Sequence, residues 1–189
     1  MNPSETTPPF LHLLTALIVK TYLSYPPDKS TDVAILYLPD AFGHELVNNR
    51  LYVPRIAPLY IYDQLRTRRC RLADSMAKSG FFVVIPDLFH GEAVPADAMG
   101  KGFDLYKWLG EHPPNTVDPI VESTIKALRA EYGVKKLGGV GYCFGGRYVM
   151  RFLAQGKGLD AGFAAHPSLV EIPEVEAVAG PLSLAIPGE

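Results

Sequence analysis

One short stretch combines residue types and spacing suited to covalent catalysis: Gly141-Tyr142-Cys143-Phe144-Gly145-Gly146. It follows an apolar run, Leu137 to Tyr142, and precedes an amphipathic one, so Cys143 falls on a strand-to-helix turn. Small residues at Gly141, Gly145 and Gly146 let the chain turn sharply and leave the sulfur exposed, as a nucleophile elbow requires. A helix N-terminus favours the thiolate, the form of cysteine that attacks carbonyl carbon. The Phe144 amide can point at the developing oxyanion and form half of an oxyanion hole. The same glycines would equally serve close packing around a buried structural cysteine, since free thiols are commonly buried.

Other candidates end apolar runs. Asp40, in Leu38-Pro39-Asp40-Ala41-Phe42-Gly43-His44, brings a carboxylate and the Ala41 amide, a second oxyanion donor, to a strand end. Asp40 equally suits the cap of a following helix. Asp87, His90 and Glu92 occupy the next strand-exit loop and could line a pocket, and Arg147 just beyond the elbow joins these pocket candidates. His166, in Ala164-Ala165-His166-Pro167, is the histidine nearest Cys143 in sequence and a candidate general base, although a strand-end histidine is commonly structural. The histidines and cysteines nowhere adopt zinc-ligand spacing, and neither metal nor cofactor is expected.

These residues need a frame. Val33 to Leu38 and Phe81 to Ile85 are continuously apolar, the pattern of strands buried on both faces of a parallel sheet. Spacing predicts a helix over Asp118 to Tyr132, with Thr116 as N-cap and Gly133 as stop. Leu137 to Tyr142 reads as a strand, and Phe144 to Gln155 as a helix whose inner face is Gly145, Tyr148, Val149, Phe152 and Leu153. Ala161 to Ala165 and Leu182 to Ile186 read as further strands. The alternation predicts an α/β domain, an open, mostly parallel sheet flanked by helices that binds ligands outside the carboxyl ends of its strands.

A chain of 189 residues with 48% hydrophobic residues suits one domain. A net charge of −2 and scattered basic residues argue against nucleic acid as partner. No apolar run reaches the ~20 residues of a membrane span, so no membrane partner is expected. Cys70 and Cys143 do not make a disulfide framework, and a reducing, cytoplasmic setting fits better. Residues 1–20, including the apolar run Pro9 to Val19, read as a packed arm rather than a signal peptide, because no Lys or Arg precedes that run. The domain then occupies residues 21–189.

With GYCFGGR at the elbow, ILYLPDAFGHE and FFVVIPDLFHGE before it and GFAAHPS after it, the chain resembles the dienelactone hydrolase family, particularly its fungal members. Class I glutamine amidotransferases share G-x-C-x-G but continue to His-Gln, whereas Gly146-Arg147 follows here. The resemblance runs from Thr21 to Glu189, apart from a basic and aromatic insertion over 51–71 that falls inside a family helix. A retained in-frame intron, a gene-model error or a genuine surface loop would each explain that segment.

The resemblance implies an α/β-hydrolase fold, C-terminally incomplete in this chain, and hydrolysis of small esters or lactones through a Cys-Asp-His triad. It assigns Cys143 as nucleophile and the Phe144 and Ala41 amides as oxyanion hole, and it puts Asp40 where bacterial members carry a glutamate. Those members bind substrate with an arginine where this chain reads Phe89-His90-Gly91, so a dienelactone carboxylate is not implied. The triad aspartate and histidine would follow a strand like LSLAIPGE, so neither is carried over and impaired activity is expected. The rival expectations are a non-catalytic small-molecule-binding module and an incomplete fragment that folds poorly.

Overall fold

The computed structural model describes residues 19–43, 68–95, 97–98 and 101–188. Most of the arm over 1–20 and of the insertion over 51–71 lies outside these residues. The described strands are β1 (Thr21–Ser24), β2 (Val33–Leu38), β3 (Phe82–Pro86), β4 (Lys136–Tyr142), β5 (Ala161–Ala165) and β6 (Leu182–Ala185). They hydrogen-bond in the order β1-β3-β2-β4-β5-β6, with β1 antiparallel to β3 and every other pair parallel. The expected open, mostly parallel sheet is therefore present.

Helices α1 (Arg68–Lys78), α2 (Leu105–Glu111), α3 (Pro114–Ala130), α4 (Phe144–Phe152) and α5 (Ile172–Glu176) accompany it. Alternation along the central strands divides their side chains between two apolar layers. Leu36, Leu38, Phe82 and Val84 pack with Val121 and Leu128 of α3 and Tyr148 and Phe152 of α4. Tyr37, Val83 and Ile85 face the other way and pack with Ala73 and Ala77 of α1.

Several boundaries depart from expectation. Helix α3 starts at Pro114, not Asp118, and Thr116 is not its N-cap; Pro113 is, and the Thr116 hydroxyl donates to the Pro113 carbonyl at 2.8 Å. Proline without an N–H suits the first helical position, so Pro114 opens the helix. Helix α4 stops at Phe152 rather than Gln155. Strand β3 begins at Phe82, after Gly80 turns the chain with φ 99°. Helix α1 begins at Arg68, inside the segment read as an interruption.

Strand β1 is too short to announce itself locally and owes its place to tertiary contacts. The Tyr22 and Ser24 hydroxyls both donate to Asp74 Oδ1 on α1 at 2.7 Å, clamping strand to helix. Among the described residues, no helix is long and apolar enough to cross a membrane.

Candidate active site

Cys143 sits between the last residue of β4 and the first of α4 with φ 50° and ψ −113°. Such a conformation costs a non-glycine residue about 1–3 kcal/mol and persists only where the surroundings enforce it. The surroundings are close. A Cβ on Gly145 would stand 2.1 Å from the Leu38 carbonyl oxygen, and one on Gly141 would stand 2.5 Å from the Gly145 carbonyl oxygen. Both positions need glycine because backbone lies against backbone.

The first turn of α4 therefore rests on the end of β2, where Leu38 pairs in register with Gly141. Asp40 and Ala41 continue from that end, on the carboxyl edge of the sheet that also carries the elbow. Among the described residues, the amides of Phe144 and Ala41 donate to no protein acceptor. Cys143 is half-buried and free of any disulfide.

The remaining candidates divide. Asp40 Oδ1 accepts from the Phe42 amide at 2.9 Å within the turn at 41–43; a following helix for it to cap is not among the described residues. His90 and Glu92 are exposed; His90 adopts φ 51°, and the Glu92 carbonyl accepts from the Trp108 indole at 2.7 Å. Asp87 is buried and accepts from the Phe89 amide at 3.1 Å. His166 is exposed at the end of β5 with φ 38°, its ring 6.2 Å from that of Tyr142, and it has no hydrogen bond to the Cys143 sulfur.

Arg147 is buried, and its guanidinium is engaged: Nε donates to Glu174 at 2.8 Å and Nη2 to Glu171 at 2.6 Å. Arg151, one turn on, bridges Glu174 and Asp118 of α3. Burial alone would raise the Glu174 carboxyl, but the Glu171 amide and the two arginines outweigh it and hold that carboxyl below the usual glutamate range. Arg147 thus anchors α5 to α4, and it also borders a cavity of about 570 Å³ lined by Tyr106, Leu109, Pro113, Phe144 and Leu169 among others.

The sequence reading passed over Ser168. The thiol of Cys143 donates to Ser168 Oγ at 3.6 Å, and the Ser168 amide donates to the Cys143 carbonyl at 3.0 Å. The available signal was its position three residues beyond the end of β5, on the ligand-binding edge. His112 was also missed; it is buried, stacked on Trp108 at 4.3 Å and edge-on to Phe89 at 5.4 Å, and it lines the cavity. Among the described residues, no three His, Cys, Asp or Glu side chains group as metal ligands.

The chain is 44% identical over 167 residues to hydrolase pyvD of Aspergillus violaceofuscus, matching 88% of this chain and 59% of that protein. It is 41% identical over 175 residues to hydrolase tropI of Talaromyces stipitatus, matching 88% and 60%. The chain thus spans about three fifths of the length of these relatives. A dienelactone hydrolase-like promiscuous phosphotriesterase from metagenomic libraries superposes with a TM-score of 0.55 at 20% identity, covering 94% of this chain and 65% of that one; this likeness is one of fold. The model of the dienelactone hydrolase family matches residues 65–186, from α1 through β6, and the chain belongs to that family.

Proposed function

We propose that this protein hydrolyses small esters or lactones through an acyl-enzyme on Cys143. The observation that carries the reading is the strained Cys143 at the start of α4, packed on the strand end that leads to Ala41, with the Phe144 and Ala41 amides donating to no acceptor among the described residues. The thiolate attacks the substrate carbonyl carbon and the carbonyl electron pair moves onto oxygen, where the Phe144 and Ala41 amides receive it. The tetrahedral intermediate collapses, the carbon–oxygen ester bond breaks, and the alkoxide leaves with a proton from solvent. Water then cleaves the thioester, returning the thiol and releasing the acid.

Among the described residues, no histidine or carboxylate hydrogen-bonds to the Cys143 sulfur, so none of them is positioned to take a proton in the second step. Acylation then outruns deacylation. Intact mass after incubation with an activated phenyl ester should give one acyl group, mapping to the Cys143 peptide and lost in Cys143→Ala. An unmodified Cys143 would overturn the nucleophile assignment; rapid turnover dependent on Cys143 would overturn slow deacylation.

The thiol chemistry suits a reducing, cytoplasmic setting, where Cys143 stays free. A second reading, binding without catalysis, draws on the cavity beside Phe144, whose lining does not include Cys143. Saturable binding of apolar carboxylic acids by the Cys143→Ala variant, with no ester hydrolysis by the native chain, would favour it.

A further inference from the structure

We propose that Ser168 is a positioning residue for Cys143: its hydroxyl accepts from the resting thiol and turns to donate to the thiolate. The inference rests on Cys143 being the nucleophile. Two contacts carry it. The sulfur and Oγ are 3.6 Å apart, within reach of a hydrogen bond to sulfur, and the Ser168 amide donates to the Cys143 carbonyl at 3.0 Å.

The backbone bond fixes where Ser168 starts from, so the hydroxyl is delivered to the sulfur by the chain itself. The Cys143 amide in turn donates to the Ala165 carbonyl at 3.0 Å, so segment 165–168 holds the nucleophile from both of its backbone faces. Left-handed φ values occur at His166 (38°) within this segment and at Leu169 (58°) just after it; each is a sparsely populated conformation for a residue other than glycine.

A hydroxyl suits the task because it both donates and accepts. It can take the thiol proton's hydrogen bond at rest and, after the proton leaves, rotate to offer its own hydrogen to the negative sulfur. No atom need move other than a hydrogen. Hydrogen bonding to the charged form favours that form, so removing the hydroxyl disfavours the thiolate.

The titratable or charged groups on elements packed around the elbow include Tyr37 of β2 and Asp40 after it, Asp87 and His90 after β3, Tyr142 of β4, Arg147, Tyr148 and Arg151 of α4, His166 after β5, and Glu171 and Glu174 at and in α5. Any of them could move a pH profile, so the test must isolate one hydroxyl. Paired substitutions do this: Ser168→Ala removes it with the backbone bond kept, Ser168→Thr retains it, and Ser168→Val is the threonine isostere without it.

The experiment measures the rate of iodoacetamide alkylation of the Cys143 peptide against pH, by mass spectrometry, on the full chain. Expected are profiles displaced to higher pH by about half to one unit for alanine relative to serine and for valine relative to threonine, with a several-fold slower rate near neutrality. If alanine prevents folding, the threonine and valine pair alone decides. Coincident profiles within the pairs would overturn the role of the hydroxyl. Equal displacement of threonine and valine from the native profile would assign Ser168 to packing and overturn it too. A native Cys143 inert at every pH would overturn both this inference and the nucleophile reading, whereas failure of Ser168 alone leaves a reactive Cys143.

Discussion

Cys143 keeps a backbone conformation that side chains rarely adopt because its neighbours leave it no other course. The tightest of these contacts is at Gly145, where an added Cβ would meet the Leu38 carbonyl at 2.1 Å and the Pro39 carbonyl at 2.6 Å. Those atoms are main chain at the end of a central strand and cannot swing aside as a side-chain tip could. Gly145→Ala should therefore destabilise the fold by at least about 3 kcal/mol, the scale of a severe overpacking. Chemical denaturation checks this, and an unchanged midpoint would mean that the elbow does not lie against β2 as described.

Among the elements, α4 carries both the elbow and the charged contacts that hold its flanks. Arg147 and Arg151 lie one turn apart and reach Glu171 and Glu174 on one side and Asp118 on the other, so α3, α4 and α5 are joined through one network. Glu174 is 7% exposed, and Glu174→Gln would leave Arg147 with only the more exposed Glu171. Breaking one partner of a buried pair is costly, and the loss at neutral pH should be about 3 kcal/mol, the low end of the usual range because Glu171 remains.

The same carboxyl shapes the acid limb of stability. Burial would raise Glu174, but its hydrogen bonds lower it below the unfolded value, so its contribution is complete above about pH 5 and fades as pH falls through the folded value. Asp160 acts in the same direction: burial is again opposed and outweighed by the Leu137 amide and Arg129. Melting temperatures should be level from neutrality to about pH 5 and drop below it, less steeply in Glu174→Gln; a native profile without that drop would contradict the ion network.

For the whole molecule, the two ends of the sheet differ. On one side β1 is clamped to α1, and β3 is buried along its entire length. On the other, among the described residues, β6 pairs with β5 alone, and Leu184 and Ile186 are 44% and 70% exposed.

Local pattern was enough for much of this. Apolar runs bounded by Pro-Asp or glycine marked β2, β3, β4 and β5 to within a residue, because a strand covered on both faces has no polar position to blur it. The turn at Cys143 was legible for a related reason: strand, small residues and amphipathic helix follow one another without a gap, so the chain has one short way to connect them. Tertiary structure decided the rest. Strand β1 and helix α5 are too short to be stable through their own residues and exist through Asp74 and the arginines of α4. The first turn of α3 hid behind two prolines. Arg147 does border the cavity, but its acidic partners, 24 and 27 residues away in sequence, leave no local mark. Ser168 followed the same rule, since a contact spanning 25 residues depends on how β4 and β5 pair, and no local pattern records that pairing.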